Sequence, residues 1–213
     1  MIKIAVLVSG NGSNLQALID AQLGQHLSGK IVGVISNKAD AYALERAQQA
    51  QIETRVIEHK AYPKREIFDD AMHQQLLDWD VDLVVLAGFM RILSEKFVRA
   101  WEGKMINIHP SLLPLYKGMH THQRVLNTGD MFHGCTVHYV TAELDAGPAL
   151  LQGVLKVNQH DNPTTLAKRV HELEHVIYPQ VVEWICTQTI QYQAGQVLYK
   201  GQPLTKPLQF CQI

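Results

Sequence analysis

The run Val81-Asp82-Leu83-Val84-Val85-Leu86-Ala87 is apolar at every position but Asp82. A run of this length without helical spacing reads as a strand, and a strand lacking polar alternation is buried on both faces. That environment exists at the centre of a parallel sheet, so the chain is constrained toward an α/β architecture. The segments around it agree. Ile2 to Val8 is an apolar strand followed by Ser9-Gly10-Asn11-Gly12-Ser13-Asn14 and then by Leu15, Leu18 and Ile19 at helical spacing. Ile31 to Ile35 repeats the strand, Ala41 to Ala50 the helix with Asp40 as its N-cap, and Glu53 to Ile57 a third strand. A helix from Pro63 to Trp79 leads into the central strand, and Ser94 caps a short helix through Ala100. Lys104 to Ile108, His133 to Val140 and Ala149 to Val157 read as further strands, the last two joined by a hairpin-like return. Asn162-Pro163-Thr164-Thr165 opens a long helix that meets Pro179, where a kink or break is expected. Ile190 to Tyr199 reads as a small strand pair. The expected fold is therefore a mostly parallel twisted sheet of about seven strands, mixed in its C-terminal half, with helices on both faces.

The residues with the most chemistry lie at and beyond the end of the Lys104–Ile108 strand. Asn107 and His109 have the same parity on an extended segment and leave the same face at its end, with Pro110 and Pro114 stiffening the loop beyond them. In open parallel sheets ligands bind at that edge. An amide donor beside an imidazole suits a carbonyl under attack, one group stabilising the oxyanion and the other moving a proton. Asp145, in the loop Glu143-Leu144-Asp145-Ala146-Gly147-Pro148, supplies a carboxylate that would orient the imidazole, although an Asp there also suits a turn that bonds its own backbone. This trio points to acyl transfer onto a substrate amine without a covalent enzyme intermediate.

Gly12, Ser13 and Asn14 begin the first helix, where free N–H groups and the helix dipole favour a phosphate; a helix-capping glycine turn is the plainer alternative. A dinucleotide site is disfavoured, because Leu15 stands where a third glycine belongs and Asn37-Lys38 rather than an acid follows the second strand. His120-Thr121-His122 lacks a nearby third ligand and matches no zinc spacing, so no metal is expected. Met90-Arg91-Ile92-Leu93 either continues the core or walls an apolar cleft. Lys64-Arg65 reads as a solvated helix face and Glu174 as an ordinary exposed acid.

A formal net charge of −1 and the lack of a basic stripe with interleaved aromatics leave nucleic-acid binding without a footprint. Cys135, Cys186 and Cys211 are widely spaced and contain no CxxC, which suits reduced thiols. The N-terminal apolar stretch lacks a cationic n-region, and no run approaches the roughly 20 residues of a spanning helix. A cytoplasmic protein with small-molecule partners and no membrane is expected. With 213 residues and no repeat or linker, one domain is expected.

Together, Ser9 to Asn14, Ala87-Gly88-Phe89-Met90-Arg91, Asn107 to Pro114, Gly118 to His122 and Glu143 to Pro148 closely resemble the phosphoribosylglycinamide formyltransferases. The likeness covers nearly the whole chain and weakens over the C-terminal tail. It implies one formyltransferase domain, 1–213, with a phosphate-binding half over 1–100 and a catalytic and folate half over 101–213. The implied reaction carries the formyl group of 10-formyltetrahydrofolate to glycinamide ribonucleotide in purine biosynthesis. Residue by residue, the resemblance makes Asn107 and His109 polarisers of the formyl carbonyl, with His109 the proton donor and Asp145 the acid that tunes it. Gly12, Ser13 and Asn14 would hold the ribonucleotide phosphate, Glu174 would face that substrate, and Arg65, Met90, Arg91, Ile92, Leu93 and Asn107 would line the folate site. A monomer or weak homodimer is implied. The chain has Lys117 where the family more usually has proline, which is expected to loosen the loop. It has Ala146 where the family has glycine, which requires a negative φ or tolerates strain. The alternatives are a formyltetrahydrofolate deformylase, a formyltransferase for another amine such as aminoacyl-tRNA or an amino sugar, and a non-catalytic nucleotide- or folate-binding protein.

Overall fold

A computed structural model of the chain describes residues 1–212. An eight-stranded sheet has the order β11-β7-β6-β5-β4-β1-β2-β3, one strand more than expected. The chain divides into two compact units, Met1–Ile106 and Asn107–Ile213.

In the first unit, β1 (Lys3–Val8) pairs in parallel with β2 (Lys30–Ser36) and β4 (Leu83–Leu86), and β2 with β3 (Glu53–Val56). All four residues of β4 are buried, as an uninterrupted apolar run requires of a central strand. Helix α1 (Ser13–Leu23) buries Leu15, Leu18 and Ile19, its i, i+3 and i+4 stripe. Gly12 precedes it with φ 76°, and a Cβ there would lie 2.5 Å from that of Ala43 in α2 (Tyr42–Gln49). Only glycine satisfies both the left-handed turn and that close approach. Ala41, not Asp40, holds the N-cap position of α2, with no side-chain bond. Helix α3 spans Arg65–Asp78, so Pro63 lies ahead of it, after a 3-10 turn at His59–Ala61. Ser94 accepts from the Phe97 N–H and caps α4 (Glu95–Ala100) as expected.

Strand β5 (Met105–His109) runs into the second unit. There α5 (Thr121–Thr128) precedes β6 (Phe132–Tyr139) and β7 (Ala149–Lys156), which pair antiparallel and make the sheet mixed. Helix α6 (Pro163–Cys186) begins with a capping box between Asn162 and Thr165. It continues through Pro179 without a break, contrary to one expected outcome. A helix-interior proline costs about 3 kcal/mol, while each large apolar side chain buried contributes roughly 1.5–3 kcal/mol. Leu173, Ile177, Tyr178, Val181 and Val182 are all buried around it, so packing outweighs the lost bond. The strand pair β8 (Ile190–Gln193) and β9 (Gln196–Tyr199) occurs as expected and takes a third strand, β10 (Gln202–Pro203). Strand β11 (Leu208–Gln212), unforeseen, adds in parallel to β7 as the eighth strand of the main sheet.

Candidate active site

Strand β5 delivers Asn107 and His109 at its C-terminal end, Asn107 half-buried and His109 buried. The loop beyond is fastened from beneath. Thr136 on β6 donates its hydroxyl to the Ser111 carbonyl (2.7 Å) and accepts from the Leu113 N–H (3.0 Å). Gln152, its partner on β7, donates to the Leu113 carbonyl (2.8 Å) and to Thr136 Oγ1 (3.1 Å). Ser111 Oγ also donates to the Leu115 carbonyl (2.6 Å). These buried bonds fix the backbone just past His109 and satisfy polar groups that would otherwise be orphaned.

Asp145 is brought to the same place. Its Oδ2 lies 3.4 Å from His109 Nδ1 and accepts from the Gly118 N–H at 2.9 Å. His109 Nε2 lies 2.9 Å from the Tyr116 carbonyl, which can only accept, so that nitrogen carries a hydrogen. Both ring nitrogens therefore face acceptors. Asp145 itself takes φ 48°, whereas Ala146 is not in the left-handed region, so the family's glycine is not required at 146. The indispensable glycine is Gly147, where a Cβ would sit 1.8 Å from the Tyr139 carbonyl oxygen. Lys117 is tied on both sides, its Nζ to Glu143 (3.0 Å) and its carbonyl to Arg124 (2.7 Å), which offsets part of the expected loosening.

His138, on β6, is a member of the cluster that sequence reasoning missed. Its Nε2 is 3.3 Å from Asn107 Nδ2 and 3.9 Å from Asp145 Oδ1, and its Nδ1 is 2.9 Å from the Tyr139 carbonyl. Burial lowers its pKa, against the raising influence of the Tyr139 bond and Asp145. Thr136 and His138 share a strand parity and are, with His133 nearer the strand's start, the polar residues of a buried strand, the one signal that could have found them.

Glu174 is buried in α6 rather than exposed. Burial, with the Glu174 charge adding to it, pushes the Cys135 thiol and the Tyr178 hydroxyl up. His122 turns to His133, Nδ1 to Nε2 at 3.0 Å, and burial pushes both rings down to about 4. Among the described residues no three His, Cys, Asp or Glu side chains are grouped to hold a metal ion.

The remaining candidates belong to the first unit. Gly12 stands at the N-terminus of α1, whose first turn has no acidic residue to oppose an anion. The segment Met90–Leu93 is anchored at both ends. The Met90 N–H donates to the buried Ser9 hydroxyl (2.8 Å), which donates to Asn37 Oδ1 (2.6 Å). At the far end the Ser94 N–H donates to buried Asp69 (2.6 Å), whose pKa burial raises against the Ser94 bonds. Between these anchors Met90 and Ile92 are exposed by 71% and 65%, an apolar surface that a ligand could cover. Arg65 is exposed at the start of α3 with Glu66 3.8 Å away. Asp69, like Thr136 and Gln152, is a support that no sequence motif marked, and Ser9 lay within the Ser9–Asn14 motif without this role being read from it.

The chain matches the formyl transferase family model over residues 2–182. It is 46% identical over 203 residues to a phosphoribosylglycinamide formyltransferase of Escherichia coli (strain K12), covering 95% of this chain and 96% of that protein. It is 49% identical over 189 residues to the human trifunctional purine biosynthetic protein adenosine-3, covering 89% of this chain and 19% of that one. A solved phosphoribosylglycinamide formyltransferase from Coxiella burnetii superposes with TM-score 0.94 at 49% identity, covering 98% of this chain and 99% of the other.

Proposed function

The chain belongs to the formyl transferase family, and we propose that it formylates glycinamide ribonucleotide with 10-formyltetrahydrofolate as the donor. It is an α/β transferase of purine biosynthesis, and its products are formylglycinamide ribonucleotide and tetrahydrofolate. The observation that carries the site assignment is the gathering of Asn107, His109 and Asp145 within one unit, with His109 Nδ1 and Asp145 Oδ2 3.4 Å apart.

The ribonucleotide's amine attacks the formyl carbon and a C–N bond forms. The carbonyl oxygen becomes an oxyanion, stabilised by the amide N–H of Asn107 and by His109. Asp145 assists the transfer of the proton lost by the amine, through His109 or an ordered water. The bond from the formyl carbon to N10 then breaks, and that nitrogen regains a proton. No enzyme nucleophile is needed, since both reactants are held side by side. For His109 to address the oxyanion, the formyl oxygen takes the place that the Tyr116 carbonyl now holds at 2.9 Å from Nε2.

In this reading Gly12, Ser13 and Asn14 bind the ribonucleotide phosphate, supported by the left-handed Gly12 and the uncharged first turn of α1. Glu174 serves the same substrate. Arg65 and the Met90, Arg91, Ile92 and Leu93 segment, with Asn107, hold the folate, supported by the exposed Met90 and Ile92. Phosphate binding then falls to the 1–100 half and catalysis to the 101–213 half. No helix among the described residues is long and apolar enough to cross a membrane. Cys135, Cys186 and Cys211 form no disulfide among the described residues, which suits a reducing cytoplasm, where the enzyme works as a monomer or weak homodimer.

The test is the absorbance change as 10-formyltetrahydrofolate is converted to tetrahydrofolate, with and without glycinamide ribonucleotide. Turnover that requires the ribonucleotide is expected. Turnover without it would mean deformylation, and none in either case would mean another acceptor.

A further inference from the structure

We infer that His138 is a positioning residue that turns the Asn107 amide so that an N–H, rather than the amide oxygen, is held toward the reacting carbonyl. The inference rests on the formyl-transfer reading above.

A carbonyl oxygen has no hydrogen to give, so the 2.9 Å contact between His138 Nδ1 and the Tyr139 carbonyl places a hydrogen on Nδ1. In a neutral ring Nε2 then has only a lone pair, and an acceptor 3.3 Å from the Asn107 side chain selects its NH2 end. An amide can rotate by half a turn about χ2 with almost no change of shape, so packing alone does not choose between its two ends. His138 makes that choice, because the flipped amide would set Oδ1 against the Nε2 lone pair. One hydrogen of the primary amide serves His138 and the other is left for the oxyanion. The flipped form would instead point an oxygen at developing negative charge, which abolishes the stabilisation rather than weakening it.

The ring is suited to stay neutral. Its side chain is 3% exposed, and the carboxylate that could pair with a protonated Nε2, Asp145 Oδ1, lies at 3.9 Å, beyond hydrogen-bonding distance. Asp145 instead uses its other oxygen, Oδ2, both to accept from the Gly118 N–H and to face His109. The two histidines of the cluster thus do different work, His109 facing two acceptors and His138 presenting one acceptor to a donor.

The test uses the full chain and two substitutions. His138→Phe keeps a flat ring but removes the acceptor, whereas His138→Gln supplies an amide oxygen able to receive the Asn107 N–H. The expected result is a fall in kcat of about 10- to 100-fold in the phenylalanine variant, a share of what losing an oxyanion donor altogether costs. KM for both substrates should be little changed, and glutamine should restore kcat to within a few-fold of the starting enzyme. Nitrogen-15 shifts of His138 in the unsubstituted protein near neutral pH should show the neutral ring with its proton on Nδ1. A phenylalanine variant with unchanged kcat, or one whose loss lies in KM alone, would overturn the inference. So would a proton on Nε2, and the spectrum decides the matter if neither variant folds. Absence of ribonucleotide-dependent turnover in the unsubstituted enzyme would instead count against the formyl-transfer reading, leaving the tautomer measurement to stand by itself.

Discussion

Replacing Thr136 by valine tests whether the catalytic loop is held from beneath as described. The side chain is fully buried, and its hydroxyl gives one hydrogen bond to the Ser111 carbonyl and takes two, from the Leu113 N–H and Gln152 Nε2. Valine has nearly the same shape, so cavity formation contributes little. Gln152 retains its bond to the Leu113 carbonyl, which leaves the Leu113 N–H and Ser111 carbonyl as the groups deprived of a partner. Each buried orphan costs about 1–3 kcal/mol, and the methyl gained returns less than about 1 kcal/mol. The net loss expected is about 1–6 kcal/mol, with a middle value of about 3, a large part of a stability of about 5–15 kcal/mol. Thr136→Ser keeps all three bonds and loses one buried methyl, for about 1 kcal/mol. Urea unfolding at fixed pH, with unchanged m values, measures both. The valine variant should also lose activity, because Ser111 and Leu113 belong to the backbone just past His109. Equal stabilities for the valine and serine variants, or a valine variant within about 0.5 kcal/mol of the parent, would refute the argument.

Asp145→Asn preserves shape and removes the charge facing His109, so kcat should fall by about 10²- to 10⁴-fold while both substrates still bind; stopped turnover assays with equilibrium binding separate the two effects. Gly147→Ala should be folded poorly or not at all, because its Cβ would meet the Tyr139 carbonyl at 1.8 Å, and a melting temperature near that of the parent would contradict the geometry. His133 has a folded pKa pushed down to about 4 from 6.5, so the folded state binds fewer protons than the unfolded one. Its contribution is complete above pH 6.5 and is lost as the pH falls toward about 4, by up to about 3 kcal/mol; unfolding across that window should show His133→Gln less acid-sensitive than the parent.

The parallel core was legible because an apolar run such as Leu83–Leu86 has few other places to go, and the Asn107/His109 pair because parity alone places both side chains. Strand β11 was not, since Leu-Gln-Phe-Cys-Gln has no β-branched residue and gains its strand conformation from pairing with β7, a contact distant in the chain. Asp40 was read as a cap from its type, but a cap needs its backbone in register with the helix start, and α2 begins one residue further along behind Ala41. Thr136, His138 and Gln152 escaped notice for a related reason. A polar residue in a strand shows that something must satisfy it, but only the fold reveals that the partners are the loop after β5 and the Asn107 amide. Glu174 read as solvated because the acidic type favours the surface; the buried stripe on which it lies is evident only once α6 is packed.

The loop after β5 is fastened by two unlike kinds of bond. Its stem, Ser111 to Leu113, is held by buried contacts whose loss leaves orphaned backbone groups. Its tip hangs mostly on solvent-facing ones, the Tyr116 hydroxyl on Thr128 (2.7 Å) and Asp130 and the Lys117 ammonium on Glu143 (3.0 Å), for which water can substitute. The Gly118 N–H on the Asp145 carboxylate (2.9 Å) is the one more buried, charge-assisted contact, worth about 1.5–3 kcal/mol. The free energy of local opening therefore rises in a step between Tyr116 and Leu113. Tip fluctuations can uncover His109 Nε2 at a small fraction of the global unfolding free energy, while the stem keeps the Asn107–His109 end of β5 in register. Access and precision thus draw on separate stretches of one short loop, and a substitution that softens the tip need not blunt the chemistry.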